Sequence, residues 1–142
     1  MSNIKELDLF FLEEFINKQV CLNKDKNDIV TKLGNIDRVN NSNTYFLTPY
    51  NKSLKKIIVY LEKDEIKSIT ILAEFDFYFT DIVKKYGSYR EYYSPHDDIY
   101  FYFFNEKNEI PYFIECENDT KYNAVNMNKK DLIKKVKIIF KS

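Results

Sequence analysis

The spacing of apolar residues predicts a helix near each end of the chain. Close to the N-terminus, apolar side chains recur every three or four residues, at Ile4, Leu7, Phe11, Phe15 and Ile16. Close to the C-terminus, a second stripe of this period consists of Leu132, Ile133, Val136, Ile139 and Phe140. Lysines fill the positions between the members of this second stripe, and Asn128 is its expected N-cap. The pattern therefore predicts a lysine-rich C-terminal helix.

Two shorter helices are predicted to end at the only two glycines of the sequence. Residues 28–35 and 81–88 share a polar start, two apolar residues, a lysine, a large apolar residue and then Gly34 or Gly87. Asp25 is the expected N-cap of the first helix. A glycine that follows the last helical residue commonly takes a positive φ, which other residues adopt at a cost. Gly34 and Gly87 are therefore predicted to be structural residues that end equivalent helices.

Between these helices the apolar period changes to two, which predicts β-strands. The predicted strands are 44–47, 56–62 and 66–72 in the first half, and 89–93, 100–104 and 110–116 in the second half. The order of elements predicts a single α+β domain, 1–142, with an internal repeat over about 24–72 and 78–117. We expect an antiparallel sheet from two tandem helix–strand–strand–strand units, with the helices on one face and extra N- and C-terminal helices.

A short helix that ends in Leu-Gly or Tyr-Gly and precedes a meander of strands, twice over, resembles two known architectures. It is similar to the outer-membrane-assembly lipoproteins and to the tandem-repeat β-lactamase inhibitor proteins. The resemblance is carried by residues 28–34 with strands to Leu72, and by residues 81–87 with strands to Cys116. The lipobox of the former and the paired cysteines of the latter are missing. What the resemblance implies is a protein-binding platform without enzymatic activity.

Composition and charge narrow the expected compartment and partner. The 142 residues carry no net charge, and Cys21 and Cys116 are expected to be reduced core residues. No signal peptide or membrane span is apparent, so we expect a cytoplasmic protein. Charge is nevertheless uneven: residues 72–119 hold 11 acidic and 4 basic side chains, whereas residues 120–142 hold 1 and 7. The acidic middle segment predicts a partner of opposite charge.

The densest polar cluster of this acidic segment is the candidate partner-binding site. Its residues are Glu91, Tyr92, Tyr93, His96, Asp97 and Asp98. His96 is the only histidine, and a metal site needs three or four ligands, so no metal or cofactor is predicted. No serine or cysteine nucleophile lies in a recognisable frame, so the chain is not expected to be an enzyme. Tyrosines beside carboxylates are typical of protein-binding hot spots.

These observations favour an inhibitory protein-binding module. By composition the chain resembles toxin immunity proteins, including those of contact-dependent inhibition, and this resemblance implies a cognate nuclease-type toxin whose basic cleft the acidic surface covers. One alternative is a small-molecule-binding or enzymatic domain with a pocket near His96. Another is nucleic-acid binding through the lysine-rich C-terminal helix, which the zero net charge and the lack of arginine there disfavour. The partner, the oligomeric state and the strand order stay open.

Overall fold

A computed structural model of the chain describes residues 5–6, 33–50, 52, 54–63, 65–107 and 112–141. The strands in these ranges are β1 (Lys5–Glu6), β2 (Gly34–Asn40), β3 (Thr44–Pro49), β4 (Leu54–Glu62), β5 (Glu65–Tyr78), β6 (Tyr89–Ser94), β7 (Ile99–Phe104), β8 (Tyr112–Asn118) and β9 (Lys130–Phe140). The helix described between β5 and β6 is α1 (Phe79–Tyr86).

The strands form one sheet in the order β2-β3-β4-β5-β9-β8-β7-β6, and β1 adds to β5 in parallel. All other pairs are antiparallel. The sheet consists of two four-stranded meanders, β2–β5 and β6–β9, whose fourth strands pair with each other at the centre. Their first strands, β2 and β6, lie at the two edges. From either edge to the centre, the sheet therefore shows the first, second, third and fourth strand of one meander.

One face of the sheet carries the core. A row of register partners crosses this face from edge to edge: Ile36, Leu47, Ile57, Ile71, Val136, Cys116, Tyr102 and Glu91. The six central members of the row are almost completely buried, whereas Ile36 and Glu91 at the edges are exposed. Cys116 is free, as predicted, and burial raises the pKa of its thiol to about 12. Cys21 lies outside the described residues.

Helix α1 packs against this buried face over the second meander. Phe79, in its first turn, stacks on Tyr122 at 4.2 Å between ring centroids. The same ring meets Tyr89 and Tyr102 edge-on at 4.9 and 5.0 Å. Such edge-on and stacked pairs add to the free energy that burial of the rings contributes. The helix ends where the Gly87 amide donates to the Val83 carbonyl, and Gly87 has a φ of 84°.

The opposite face, here called the open face, is partly exposed. Its central row of register partners is Arg38, Phe46, Ile58, Thr70, Lys137, Glu115, Phe103 and Arg90. Within this row the two arginines are exposed, Thr70 is buried, and the other five side chains are half-buried. The row mixes aromatic and charged side chains, unlike the apolar row of the buried face.

The predicted α+β class is wrong, because the described chain is mainly an antiparallel sheet with one helix. The predicted C-terminal helix is β9, a central strand. A bulge in the pairing of β5 with β9, between positions 72 and 75 of β5, lets Ile133 and Val136 both be buried. That separation of three residues imitates a helical stripe. Beyond the bulge, Val136, Ile138 and Phe140 alternate as a strand requires.

Other predicted elements have mixed outcomes. All six predicted strands and the helix before Gly87 are confirmed, but one strand of each meander, β2 in the first and β9 in the second, was not predicted. The N-terminal helix and most of the helix before Gly34 fall outside the described residues, although Lys5–Glu6 within the former is a strand. Gly34 begins β2 and has no positive φ, so its predicted role as a left-handed cap is wrong. The duplication itself stays a prediction.

The two glycines are required for different reasons, and substitution separates these reasons. A Cβ at Gly34 would collide with the backbone carbonyl of Thr48 on β3, whereas a Cβ at Gly87 meets nothing and only the positive φ resists it. Gly34→Ala is expected to destabilise the protein by about 1–3 kcal/mol and to speed amide exchange in β2 and β3. Gly87→Ala is expected to cost about 1–2 kcal/mol without that local exchange. Urea unfolding and hydrogen exchange measure both effects, and protection of β2 that survives in Gly34→Ala contradicts the steric explanation.

Candidate functional site

The predicted site residues lie on the β6–β7 hairpin at one edge of the sheet. Residues 95–98 form the turn, which Pro95 begins, and the strands close on it with Ser94 opposite Ile99. Asp98 adopts a φ of 54°, a conformation that Asp tolerates better than most residues. All six candidate residues are exposed on this hairpin.

The two tyrosines point to opposite faces of the hairpin, because neighbours on a strand alternate. Tyr93 packs against Tyr100 at 4.6 Å, and its hydroxyl donates to Asp98 Oδ1 at 2.8 Å. This hydrogen bond raises the pKa of Tyr93. Tyr92 lies on the side of the open face, next to Phe101, and 53% of it is exposed. Tyr93 is thus fixed in place, while Tyr92 presents most of its ring to solvent.

The hairpin carries negative charge that nothing in the described chain neutralises. Glu91, Asp97 and Asp98 form no salt bridge with a described cation. Glu91 and Tyr93 share one side of β6 by alternation, and Asp98 joins them through the Tyr93 hydroxyl. Asp97 makes only a long contact with the Ser94 hydroxyl, at 3.4 Å. The structure therefore brings Glu91, Tyr93 and Asp98 together and leaves Tyr92, His96 and Asp97 separate.

A groove lies beside the turn end of the hairpin, where Ile99 lines it, with a volume of about 390 Å³. It is lined mainly by charged and amide side chains, including Glu117, Asp119, Asp131 and Lys134. The hypothesis of a small-molecule site predicted an apolar pocket that contains His96 or a tyrosine hydroxyl. This groove has neither, and His96 is exposed on the turn.

A buried hydrogen-bond cluster that the sequence did not reveal lies behind this groove. Tyr122 donates to Asp131 Oδ2 at 2.7 Å, and the Asn118 amide donates to the Tyr122 hydroxyl. The Tyr102 hydroxyl donates to the Thr120 carbonyl and accepts from the Tyr122 amide, each at 3.0 Å. Burial raises the pKa of Tyr102 to about 12 and that of Tyr122 further. The cluster fixes the β8–β9 connection to the sheet. Its one sequence signal is Asp131, the single acid among residues 120–142.

The C-terminal lysines lie on a strand, so nucleic-acid binding through a lysine-rich helix is wrong in its structural premise. Lys135 forms a salt bridge with Glu117 at 3.2 Å, and Lys137 is the register partner of Glu115. Burial raises the pKa of Glu115, although both lysines oppose that shift. These lysines therefore face acids on the open face.

Comparisons with known proteins do not suggest a function for the chain. No family profile, curated protein or solved structure matches the chain. Among the described residues, no group of three or more His, Cys, Asp or Glu side chains is arranged to hold a metal ion. In the same part of the chain, no helix is long and apolar enough to cross a membrane.

Proposed function

We propose that the protein is a binding module that covers a basic surface of a partner protein with the β6–β7 hairpin. The class of partner that we propose is a cognate toxin whose basic cleft acts on nucleic acid. The observation that carries the proposal is that one hairpin presents an exposed Tyr92 on one face and three exposed carboxylates, Glu91, Asp97 and Asp98, that have no described counter-ion. Function by occlusion requires only a rigid surface of this kind.

Physical reasons support this use of the hairpin. A tyrosine buries a large area on binding and loses little conformational entropy, which favours it as an anchor. Uncompensated carboxylates on the same hairpin accelerate encounter with a basic partner and select against acidic ones. The Tyr93–Asp98 hydrogen bond and the packing on Tyr100 hold the hairpin in one geometry before binding. Preorganisation of this kind lowers the entropy that association must overcome.

Charge reversal on the turn is expected to slow association. The Asp97→Lys/Asp98→Lys double variant should bind the partner about tenfold more slowly at low salt, and its rate should vary less with salt concentration. The partner is first captured on the immobilised protein at low salt, identified, produced in pure form and measured by surface plasmon resonance. Tyr92→Ala should mainly raise the dissociation rate, because it removes the proposed anchor.

The matched control reverses two charges at the other end of the sheet. Glu62 and Glu65 are exposed at the β4–β5 turn, and the Glu62→Lys/Glu65→Lys variant makes the same change in net charge. We expect its association rate to stay within twofold of the parent at physiological salt. Equal slowing by both double variants would mean that only net charge acts, and an unchanged rate in Asp97→Lys/Asp98→Lys would refute the hairpin as the site. A purified partner that binds but keeps its activity would refute occlusion.

A further inference from the structure

The only two arginines of the sequence occupy equivalent positions in the two meanders. Arg38 lies on β2 and Arg90 on β6, the first strand of each meander and an edge of the sheet. Each is the register partner of a phenylalanine on the next strand, Phe46 or Phe103. Each guanidinium carbon lies 4.1 Å from the centroid of that ring. Both pairs are on the open face and end the same row of eight residues.

The two arginines differ in what fills the guanidinium fork. Arg90 donates two hydrogen bonds to Glu106, from Nε to Oε1 at 3.0 Å and from Nη2 to Oε2 at 3.1 Å. This bidentate geometry is the strongest form of arginine–carboxylate contact, and it raises the pKa of Arg90. The second meander therefore shows which group binds an arginine that lies over a phenylalanine ring in this fold. That ligand is a carboxylate.

The fork of Arg38 holds no carboxylate from the described chain. Arg38 takes part in none of the described salt bridges. The adjacent Asp37 accepts instead from the Thr48 hydroxyl, at 2.8 and 2.7 Å to its two oxygens. Lys56 places a second cation 5.5 Å from the Phe46 centroid. Two cations over one ring give an exposed site of positive charge with a guanidinium held in orientation.

We propose that Arg38, Phe46 and Lys56 form a binding site for a carboxylate side chain of an acidic polypeptide segment. Arg38 donates to the carboxylate with its guanidinium group, as Arg90 donates to Glu106. Lys56, on β4, adds electrostatic attraction for the carboxylate. The proposal does not depend on the function of the hairpin, which lies at the other edge of the sheet.

The surroundings favour a carboxylate of a polypeptide over the phosphates of a nucleic acid. Single-stranded nucleic acid needs aromatic faces on which bases stack, and here cations lie over the ring of Phe46. An acidic side chain on an extended segment needs only one point of contact at Arg38.

The experiment uses the fact that the full chain has only two arginine Nε–Hε groups, which nuclear magnetic resonance observes separately. The probes are hexaglutamate, inorganic phosphate, the oligonucleotide dT6 and hexalysine. Hexaglutamate is expected to shift the Arg38 Nε–Hε signal to saturation and to leave the Arg90 signal in place. Arg38→Lys, followed at the Phe46 amide, should weaken hexaglutamate binding about tenfold, because lysine cannot make the bidentate contact.

Glu106→Gln supplies an internal control, because it frees the fork of Arg90 without changing Arg38. In this variant both arginine signals should respond to hexaglutamate. An Arg38 signal that hexaglutamate does not move would overturn the proposal, whether or not Arg90 responds in Glu106→Gln. Tighter binding of phosphate or dT6 than of hexaglutamate would overturn the assignment to a carboxylate, and an equal response to hexalysine would show that the site does not recognise negative charge.

Discussion

Replacing Phe79 with alanine is expected to lower the free energy of unfolding by about 3–5 kcal/mol. The Phe79 ring is 1% exposed and joins α1 to β6, β7 and the β8–β9 connection through Tyr89, Tyr102 and Tyr122. Its removal leaves a cavity among rings whose hydrogen bonds hold them in place, so the site cannot collapse easily. Urea unfolding followed by circular dichroism measures the change.

Val125 provides the control for this prediction. Its side chain is 77% exposed on the same β8–β9 connection, and Val125→Ala should change stability by less than about 0.5 kcal/mol. Phe79→Leu keeps most of the apolar volume and should retain more stability than Phe79→Ala, which keeps the test informative if the alanine variant does not fold. A loss below about 1 kcal/mol in Phe79→Ala would contradict the packing of α1 on the second meander.

Replacing Val136 with aspartate is expected to prevent folding, or to destabilise by more than about 4 kcal/mol. Val136 is fully buried at the middle of β9, between Ile71 of β5 and Cys116 of β8. The described neighbours in its row carry no cation that could pair with a carboxylate there. Because β9 joins the two meanders, the defect should unfold both halves together.

Two further variants make this prediction measurable. Val136→Thr keeps the branched shape and buries one hydroxyl, so it should cost about 1–3 kcal/mol and still fold. Lys134→Asp changes an exposed position on the same strand and should stay within about 0.5 kcal/mol. Separate urea transitions for the two halves in Val136→Thr, or equal losses in Val136→Thr and Lys134→Asp, would contradict the central place of β9.

The sequence predicts the strands of this fold better than its class. Residues 56–62 alternate cleanly because one side of that strand is buried and the other is partly exposed, and within 66–72 the apolar Ile69 and Ile71 alternate with the polar Ser68 and Thr70. The pattern of β9 is misleading because β5 has a bulge at positions 73 and 74, which oppose a single residue of β9. The alternation of buried residues along β9 is interrupted there. A bulge depends on the partner strand, so local periodicity cannot reveal it. Strand β2 is mostly exposed, and it therefore lacks the apolar alternation that would have predicted it.

For the candidate site, the sequence predicted the two strands, 89–93 and 100–104, and the residues of the cluster between them, but not the geometry of the hairpin. The cluster of Tyr92, Tyr93, Asp97 and Asp98 is local and lies on one hairpin, but strand alternation separates Tyr92 from Tyr93. The contacts of Tyr122 with Asp131, and of Arg90 with Glu106, join residues that are far apart in sequence. Their pairing follows from strand register and loop path, which periodicity does not determine. The equivalence of Arg38 and Arg90 likewise becomes visible only when the sheet order is known.

The pairing of β5 with β9 also constrains how the chain is made. Residues 68–72 pair with β4 on one side, and on the other side their partners are residues 135–139, more than 60 positions later in the chain. During synthesis on the ribosome, the first meander therefore emerges with an unpaired strand edge that persists until residues 135–139 have left the ribosome. The unpaired backbone groups of such an edge can form hydrogen bonds with other nascent chains. Prolonged pausing of translation after β8 should accordingly favour aggregation of the nascent chain.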